Sequence, residues 1–397
     1  MAVRPVLMSL LVLFALSLVS PPQSVGKDAG EKLFQETCAL CHSLDRATAK
    51  RLSRAEWSEI IKKMVSFGAQ ISGKQQAAIL DYLAQTQAPV APPAVAAAGS
   101  PASPAAKAYV VNEESEDVWI LDVATRKVLA KVKVGKLPHG IAVSPDGRAI
   151  YVTNMGSDNI TVINTETYAT TTMGGAGRNP HACAVSPDGR FLYVSNPSSN
   201  NVTVHDMTTH RPVATIPVGK FPHGVTMSPD GKRVYVAEMD SNAISVIDPT
   251  TNRVVATIPT AAGPHQMAVS PDGAFLYVVN ADANRLSIID TAQGREIKSV
   301  LVGRAPYDVT LDPTGSTLWV VNAGSESVEA LDSRTGAVLA TVPVPGSPHG
   351  LAISPDGSQV WVADLTANTL SIIDTGQRKV VTTLPAGNRP HLVFIGK

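Results

Sequence analysis

The sequence predicts a mainly β chain: a seven-bladed β-propeller preceded by a small all-α domain. Three observations predict it. A Pro, usually followed by His, recurs at Pro138, Pro180, Pro222, Pro264, Pro306, Pro348 and Pro390, each 42 residues after the last. Within each unit a tight-turn signature, Ser-Pro-Asp-Gly, sits in fixed register before alternating apolar runs. The repeat also begins and ends incomplete, so that the two ends of the array complement one another. A fixed period of this length with four short strands per unit is the pattern of one propeller blade.

Composition agrees. The 397 residues include 29 Gly and 29 Pro, which suits a turn-rich β protein, and only 17% are charged. Lys plus Arg and Asp plus Glu are each 33, so the net charge is zero, which argues against a dedicated nucleic-acid binder. Three cysteines do not make a disulfide framework.

Residues 1–26 read as a signal peptide. Arg4 supplies the positive start, Val6 to Val19 the apolar run, and Ser24-Val25-Gly26 a small-x-small cleavage site before Lys27. The run is short for a bilayer, and no second apolar run of spanning length follows. Export to the periplasm with no membrane span after signal removal is the expectation.

Residues 27–86 carry Cys38-Ala39-Leu40-Cys41-His42. Two thiols three positions apart can add to the two vinyl groups of one porphyrin, and the adjacent His then lies beneath the ring as an iron ligand. His42 is the sole His between residues 27 and 106, and Met64 the sole Met. Ser53 with Glu56 and Ser72 with Gln75 form capping boxes that open two helices. A helix with C-x-x-C-H, a middle helix with Met64 and a closing helix with Tyr82 resemble a small class I cytochrome c. The resemblance implies one covalent haem c on Cys38 and Cys41, with His42 and Met64 as axial ligands. Filled axial positions suit electron transfer to a redox partner protein. The interval from His42 to Met64 is shorter than in larger members. Residues 87–107, rich in Ala and Pro, read as a linker.

Residues 108–397 form the propeller. Ser-Pro-Asp-Gly recurs at Ser144, Ser186, Ser228, Ser270 and Ser354, with Asp312-Pro313-Thr314-Gly315 in the same register. Pro presets φ and Gly accepts a positive φ, which makes a tight hairpin turn. A strand containing Tyr109, Tyr151, Tyr193, Tyr235, Tyr277, Trp319 or Trp361 follows. Six complete units run from Pro138 to Arg389. Residues 108–134 lack a first strand and 390–397 supply one, so the C-terminal strand is expected to close the seventh blade. These repeats resemble the YVTN family of β-propellers, which implies the fold and not an activity.

Two features stand apart from the scaffold. His139, His181, His223, His265, His349 and His391 share one register, with Tyr307 at the seventh position. At the start of each innermost strand they are expected to line one mouth of the channel, too wide a ring for all to meet one ion. Lys136, Arg178, Lys220, Arg304 and Arg389 lie just upstream and would attract a small anion or carboxylates. Either feature is equally compatible with a scaffold role. A c-haem domain ahead of a propeller resembles cytochrome cd1 nitrite reductase, which implies a second cofactor or metal in the propeller and oxidoreductase activity. Seven blades and a smaller first domain depart from that pattern. A plain binding module for a metal or small molecule is the third reading. Cys183 and His205 fall at core positions and His210 in a polar turn.

Overall fold

The computed structural model describes residues 54–66, 71–86 and 106–396. Cys38, Cys41, His42 and the signal segment lie outside the described residues. The chain divides into two compact units, residues 1–101 and 102–397. Among the described residues no helix is long and apolar enough to cross a membrane.

In the first unit, α1 (Arg54–Ser66) and α2 (Gly73–Thr86) pack through Trp57, Ile61, Ile71, Ile79 and Leu83. These residues fall on one face of each helix at three- and four-residue spacing. The second capping box forms as the sequence predicts: the Ser72 amide donates to Gln75 Oε1 at 2.9 Å, and the Gln75 amide points at Ser72 Oγ at 3.4 Å.

The second unit is a seven-bladed propeller of four-stranded antiparallel sheets. We number the blades from the first complete repeat. Blade I consists of Pro138–Val143, Ala149–Asn154, Asn159–Asn164 and Thr170–Met173. The innermost strands of blades II to VI are Cys183–Val185, Pro222–Met227, Pro264–Val269, Pro306–Leu311 and Pro348–Ile353. Blade VII is composite. Its innermost strand, Pro390–Gly396, pairs antiparallel with Lys107–Asn112, and Asp117–Asp122 and Val128–Lys133 complete it. The split repeat thus closes the circle and leaves no open radial edge.

Each second strand is buried on both faces, because blades stack against both its sides. That is why these strands read as continuous apolar runs and not as alternation. Tyr109, Tyr193, Trp319 and Trp361 fill the inter-blade layers. On the opposite end from the histidine register, the Ser-Pro-Asp-Gly turns close on themselves. In blade I, Ser144 Oγ donates to Asp146 Oδ1 at 2.6 Å, the Arg148 amide donates to the same oxygen, and Gly147 adopts φ +73°. The turn proline of one blade then touches the turn glycine of the next: Pro187 Cδ lies 3.4 Å from where a Cβ on Gly231 would stand.

A buried polar position ends each second strand: Asn112, Asn154, Asn196, Glu238, Asn280, Asn322 and Asp364. In three blades its side-chain oxygen accepts the amide of a glycine in the loop entering the same blade: Gly135 to Asn154 (3.1 Å), Gly219 to Glu238 (2.7 Å) and Gly387 to Asn112 (3.1 Å). In blade VI the glycine is replaced by Pro345, which has no amide hydrogen. Thr369 and Ser371 donate to Asp364 Oδ2, while Oδ1 is buried without a partner. Burial therefore raises the Asp364 carboxyl to about 6.

Two outcomes are expected. Deleting residues 390–397 removes the buried Val393 and Ile395, each contributing about 1.5–3 kcal/mol, together with the whole edge pairing. The truncated chain should aggregate or be degraded, and a wild-type-like thermal melt would refute closure. Replacing Pro345 by Ala restores an amide donor opposite Asp364 Oδ1. The Asp364 titration, followed by carboxyl-carbon NMR, should move down towards an ordinary carboxylate, and an unchanged midpoint would exclude the missing amide as the cause.

Candidate functional site

Except that Tyr307 replaces the His in blade V and the blade II strand begins only at Cys183, two residues after His181, Pro and then His open each innermost strand at the axial end of the loop that enters the blade. The following position faces the neighbouring blade at very short range. A Cβ on Gly140 would stand 2.2 Å from the His181 carbonyl oxygen, and one on Gly224 would stand 2.5 Å from that of His265. Glycine there lets adjacent strands converge on the axis. Thr153 Oγ1 and Ser195 Oγ reach across the blade gap to donate to the carbonyls of His181 (2.5 Å) and His223 (2.6 Å). The histidine backbones are therefore fixed by their neighbours.

The side chains meet as a closed ring. Centroids of His139 and His181 are 3.5 Å apart, those of His181 and His223 and of His223 and His265 both 3.7 Å. Tyr307 bridges His265 and His349 at 4.7 and 4.8 Å, and His391 returns to His139 at 3.8 Å. Convergence of the inner strands brings neighbouring side chains of the seven into contact around the axis. All six histidines but His349 are buried. Among the described residues no group of three or more His, Cys, Asp or Glu is placed to hold a metal ion.

The ring is neutral. Burial holds His139, His181, His223 and His349 well below the usual imidazole value, and it brings His265 to about 4 and His391 to about 3. His265 Nδ1 lies 2.6 Å from the Tyr307 carbonyl oxygen. A carbonyl accepts only, so Nδ1 carries the proton and Nε2 the lone pair. In the other five, Nδ1 is buried without a hydrogen-bond partner.

The cations distribute differently from expectation. Lys136, Arg178, Lys220 and Arg304 occupy one register, with exposed side chains and amides held by Ser157, Ser199, Ser241 and Ser325 Oγ. Arg389 lies one position later, and its guanidinium pairs with Glu113 at 3.2 Å and Glu114 at 3.6 Å. The hairpins between second and third strands open on the same face and add Glu113, Glu114, Glu116, Asp158, Asp240, Asp282 and Glu326. Carboxylates thus share this face with the cations. Sequence reading missed the acids because they stand about 21 residues from the cations, in another register that shares their face only after folding.

Other titratable groups are structural. Cys183 is buried and its thiol is pushed up to about 12, as expected of a core residue. His205 is fully buried and His210 exposed. Asp308, absent from the sequence reading, accepts the amides of Val309 (2.8 Å) and Leu351 (3.1 Å) and ties blade V to blade VI, and burial raises it to about 7.

The Virginiamycin B lyase family matches residues 137–373. The chain belongs to that family. No curated protein matches the chain by sequence. Among solved structures, hydrazine synthase of Kuenenia stuttgartiensis is 27% identical, covers 65% of this chain and 89% of its own, and has a TM-score of 0.60. Dihydro-heme d1 dehydrogenase NirN in complex with DHE is 20% identical, covers 92% of this chain and 98% of its own, and has a TM-score of 0.59. A functionally unknown protein from Desulfotomaculum acetoxidans is 15% identical over 73% of this chain and 98% of its own, with a TM-score of 0.65. The last two likenesses establish fold. Family membership likewise describes the scaffold, on which different chemistries are built.

The neutral ring has a consequence for stability. Each His has an ordinary unfolded value of 6.5 and a lowered folded one. Below pH 6.5 the unfolded chain takes up protons that the folded ring refuses, so stability falls with falling pH. The loss is up to about 1.4 kcal/mol per pH unit for each His. Asp308 and Asp364, raised on folding, act in the opposite sense but are two against six. Melting temperature should fall steeply from pH 6.5 to 5, and less steeply in a His181→Phe, His223→Phe variant. Parallel profiles would refute the ring as the cause.

Proposed function

We propose that the chain is a periplasmic electron-transfer protein carrying one covalent haem c, with the propeller as the body that engages a redox partner. The observation that carries this reading is the Cys38-Ala39-Leu40-Cys41-His42 motif ahead of the propeller. Cys38 and Cys41 would tether the group and His42 would ligate its iron. Met64 lies in α1. The donor set of two thiols, an imidazole and a thioether suits haem c. Trp57 Nε1, on the same helix, is buried without a partner among the described residues. When bound, the haem supplies a one-electron couple. His42 and Met64 would be its ligands from the chain, which would leave the iron no site for a substrate. The apolar stretch at residues 6–19 supports export, and the likenesses to hydrazine synthase and NirN support a redox setting for the propeller.

A second reading is an oxidoreductase with a second cofactor on the propeller. It is favoured by the likeness to NirN, whose structure is a complex with DHE, over 92% of this chain. Because the ring side chains touch, a planar macrocycle would lie above the ring and not within it.

The test is the spectrum and haem stain of protein taken from the periplasm. Parent protein should show one c-type haem that survives a denaturing gel, and a Cys38→Ala, Cys41→Ala variant should lose it completely. Met64→Ala should abolish the weak far-red thioether band and lower the potential. Stain persisting in the cysteine variant would refute the first reading. A second chromophore in the parent would favour the second.

A further inference from the structure

We infer that the groove between blades III and IV, on the face opposite the histidines, is a binding site for a small neutral aromatic ring of the phenol class. The groove is built entirely from propeller residues. Three observations carry it.

The first is a cavity. Between the turns at 228–231 and 270–273 the two blades part around an open groove of about 530 Å³, with Arg233, Tyr235, Pro271 and Thr291 on its walls. Ligand sites commonly measure roughly 300–1,000 Å³.

The second is a side chain that the repeat supplies elsewhere and withholds here. Lys107, Tyr109, Thr165 and Tyr168 stand three repeats before Arg233, Tyr235, Thr291 and Gly294. The two grooves share one backbone frame. Tyr168 and Gly294 both adopt positive φ, +59° and +61°. Each donates its amide at 2.9 Å to the carbonyl four residues before it, Asn164 and Asp290. Thr165 Oγ1 donates to the Gly147 carbonyl at 2.7 Å, and Thr291 Oγ1 to that of Gly273 at 2.6 Å. Between blades VII and I the Tyr168 ring lies in this frame. It packs with the Tyr109 cluster, and Lys107 Nζ stands 5.3 Å from its centroid. Between blades III and IV, Gly294 brings no side chain, and a Cβ on it would meet nothing within 4 Å. A phenol ring is thus what the fold itself puts into the equivalent groove.

The third is electrostatic. Arg233 takes the place of Lys107, and a guanidinium offers a flat cationic face to a ring. The same pairing recurs in blade II, where Arg190 Cζ stands 5.3 Å from the Phe191 ring centroid. The other charges on the walls are engaged. Lys232 pairs with Asp230 at 3.4 Å, and Asp272 accepts the Ser270 hydroxyl at 2.6 Å and the Ala274 amide at 3.0 Å. Arg233 itself donates to the Lys232 carbonyl at 2.7 Å and helps to lower the Asp248 carboxyl. With carboxylates already set against both cations, an anion gains little here, whereas attraction of a cation to a π face needs only a neutral ring.

The probe is p-cresol, the tyrosine side chain as a free molecule. It is titrated into the full chain at neutral pH and followed by the amide shifts of Thr291 and Gly294 and by broadening of the p-cresol lines. The control is 4-methylcyclohexanol, which keeps the size and the hydroxyl but has no π face. Saturable one-to-one binding of p-cresol is expected, with the control weaker by at least about two-fold. Gly294→Tyr copies blade I and should abolish binding. Arg233→Ala removes the cation and should weaken binding roughly two- to five-fold. If Gly294→Tyr fails to fold, Arg233→Ala, an exposed change, is read in the same sense. Absence of saturation in the parent, equal binding of the control, or unchanged affinity in either folded variant would overturn the inference.

Discussion

Everything axial in this protein depends on circular closure by the Pro390–Gly396 strand, which pairs with Lys107–Asn112. Seven sheets can press their inner strands together around a common axis only if the circle is complete. Closure joins the two ends of the array by backbone hydrogen bonds, so that no blade is terminal. Val393 and Ile395 then pack with Trp361 and Leu370 of blade VI, and Leu392 and Phe394 pack with Ile150 and Val152 of blade I. One strand thereby sets the spacing on both sides of the seam.

The histidine ring is a product of that spacing. A repeat places one imidazole per blade at the same height, and closure forces them to meet. Glycines at 140, 224 and 350 permit the approach, since a Cβ at each would lie within 2.7 Å of the next blade's His carbonyl. Blade V departs from the rule with Tyr307 and Asp308 in consecutive positions. There the approach is secured by the Asp308 carboxylate, which accepts the Leu351 amide across the gap. Burial and crowding keep the imidazoles neutral, so the axis presents aromatic rings instead of positive charge.

Departures from the repeat are local exchanges of hydrogen-bonding partners. In blade V, Asn322 does not receive the Gly303 amide, because the longer Glu329 side chain takes it at 3.2 Å. In blade VI, Pro345 withdraws the amide and leaves Asp364 Oδ1 alone. Asp364 keeps Thr369 and Ser371 on Oδ2, whereas both polar atoms of the Asn322 amide are buried without a partner.

The blade count, the phase of the repeat and the closing strand were legible from Pro138 to Pro390, because a 42-residue period and a split unit allow one solution. The turn chemistry of Ser144 to Gly147 and the capping box of Ser72 and Gln75 were legible for the same local reason: both involve residues within five positions of one another. The C-x-x-C-H motif is likewise a local statement. The sequence by itself therefore determined the propeller architecture and the register of the histidines. Only the tertiary structure decided how wide the ring is, which protonation state it holds and what charge surrounds it. Those properties depend on the distance between inner strands and on which hairpins share a face. Glu113 meets Arg389 across 276 positions of sequence, and no pattern along the chain records that distance.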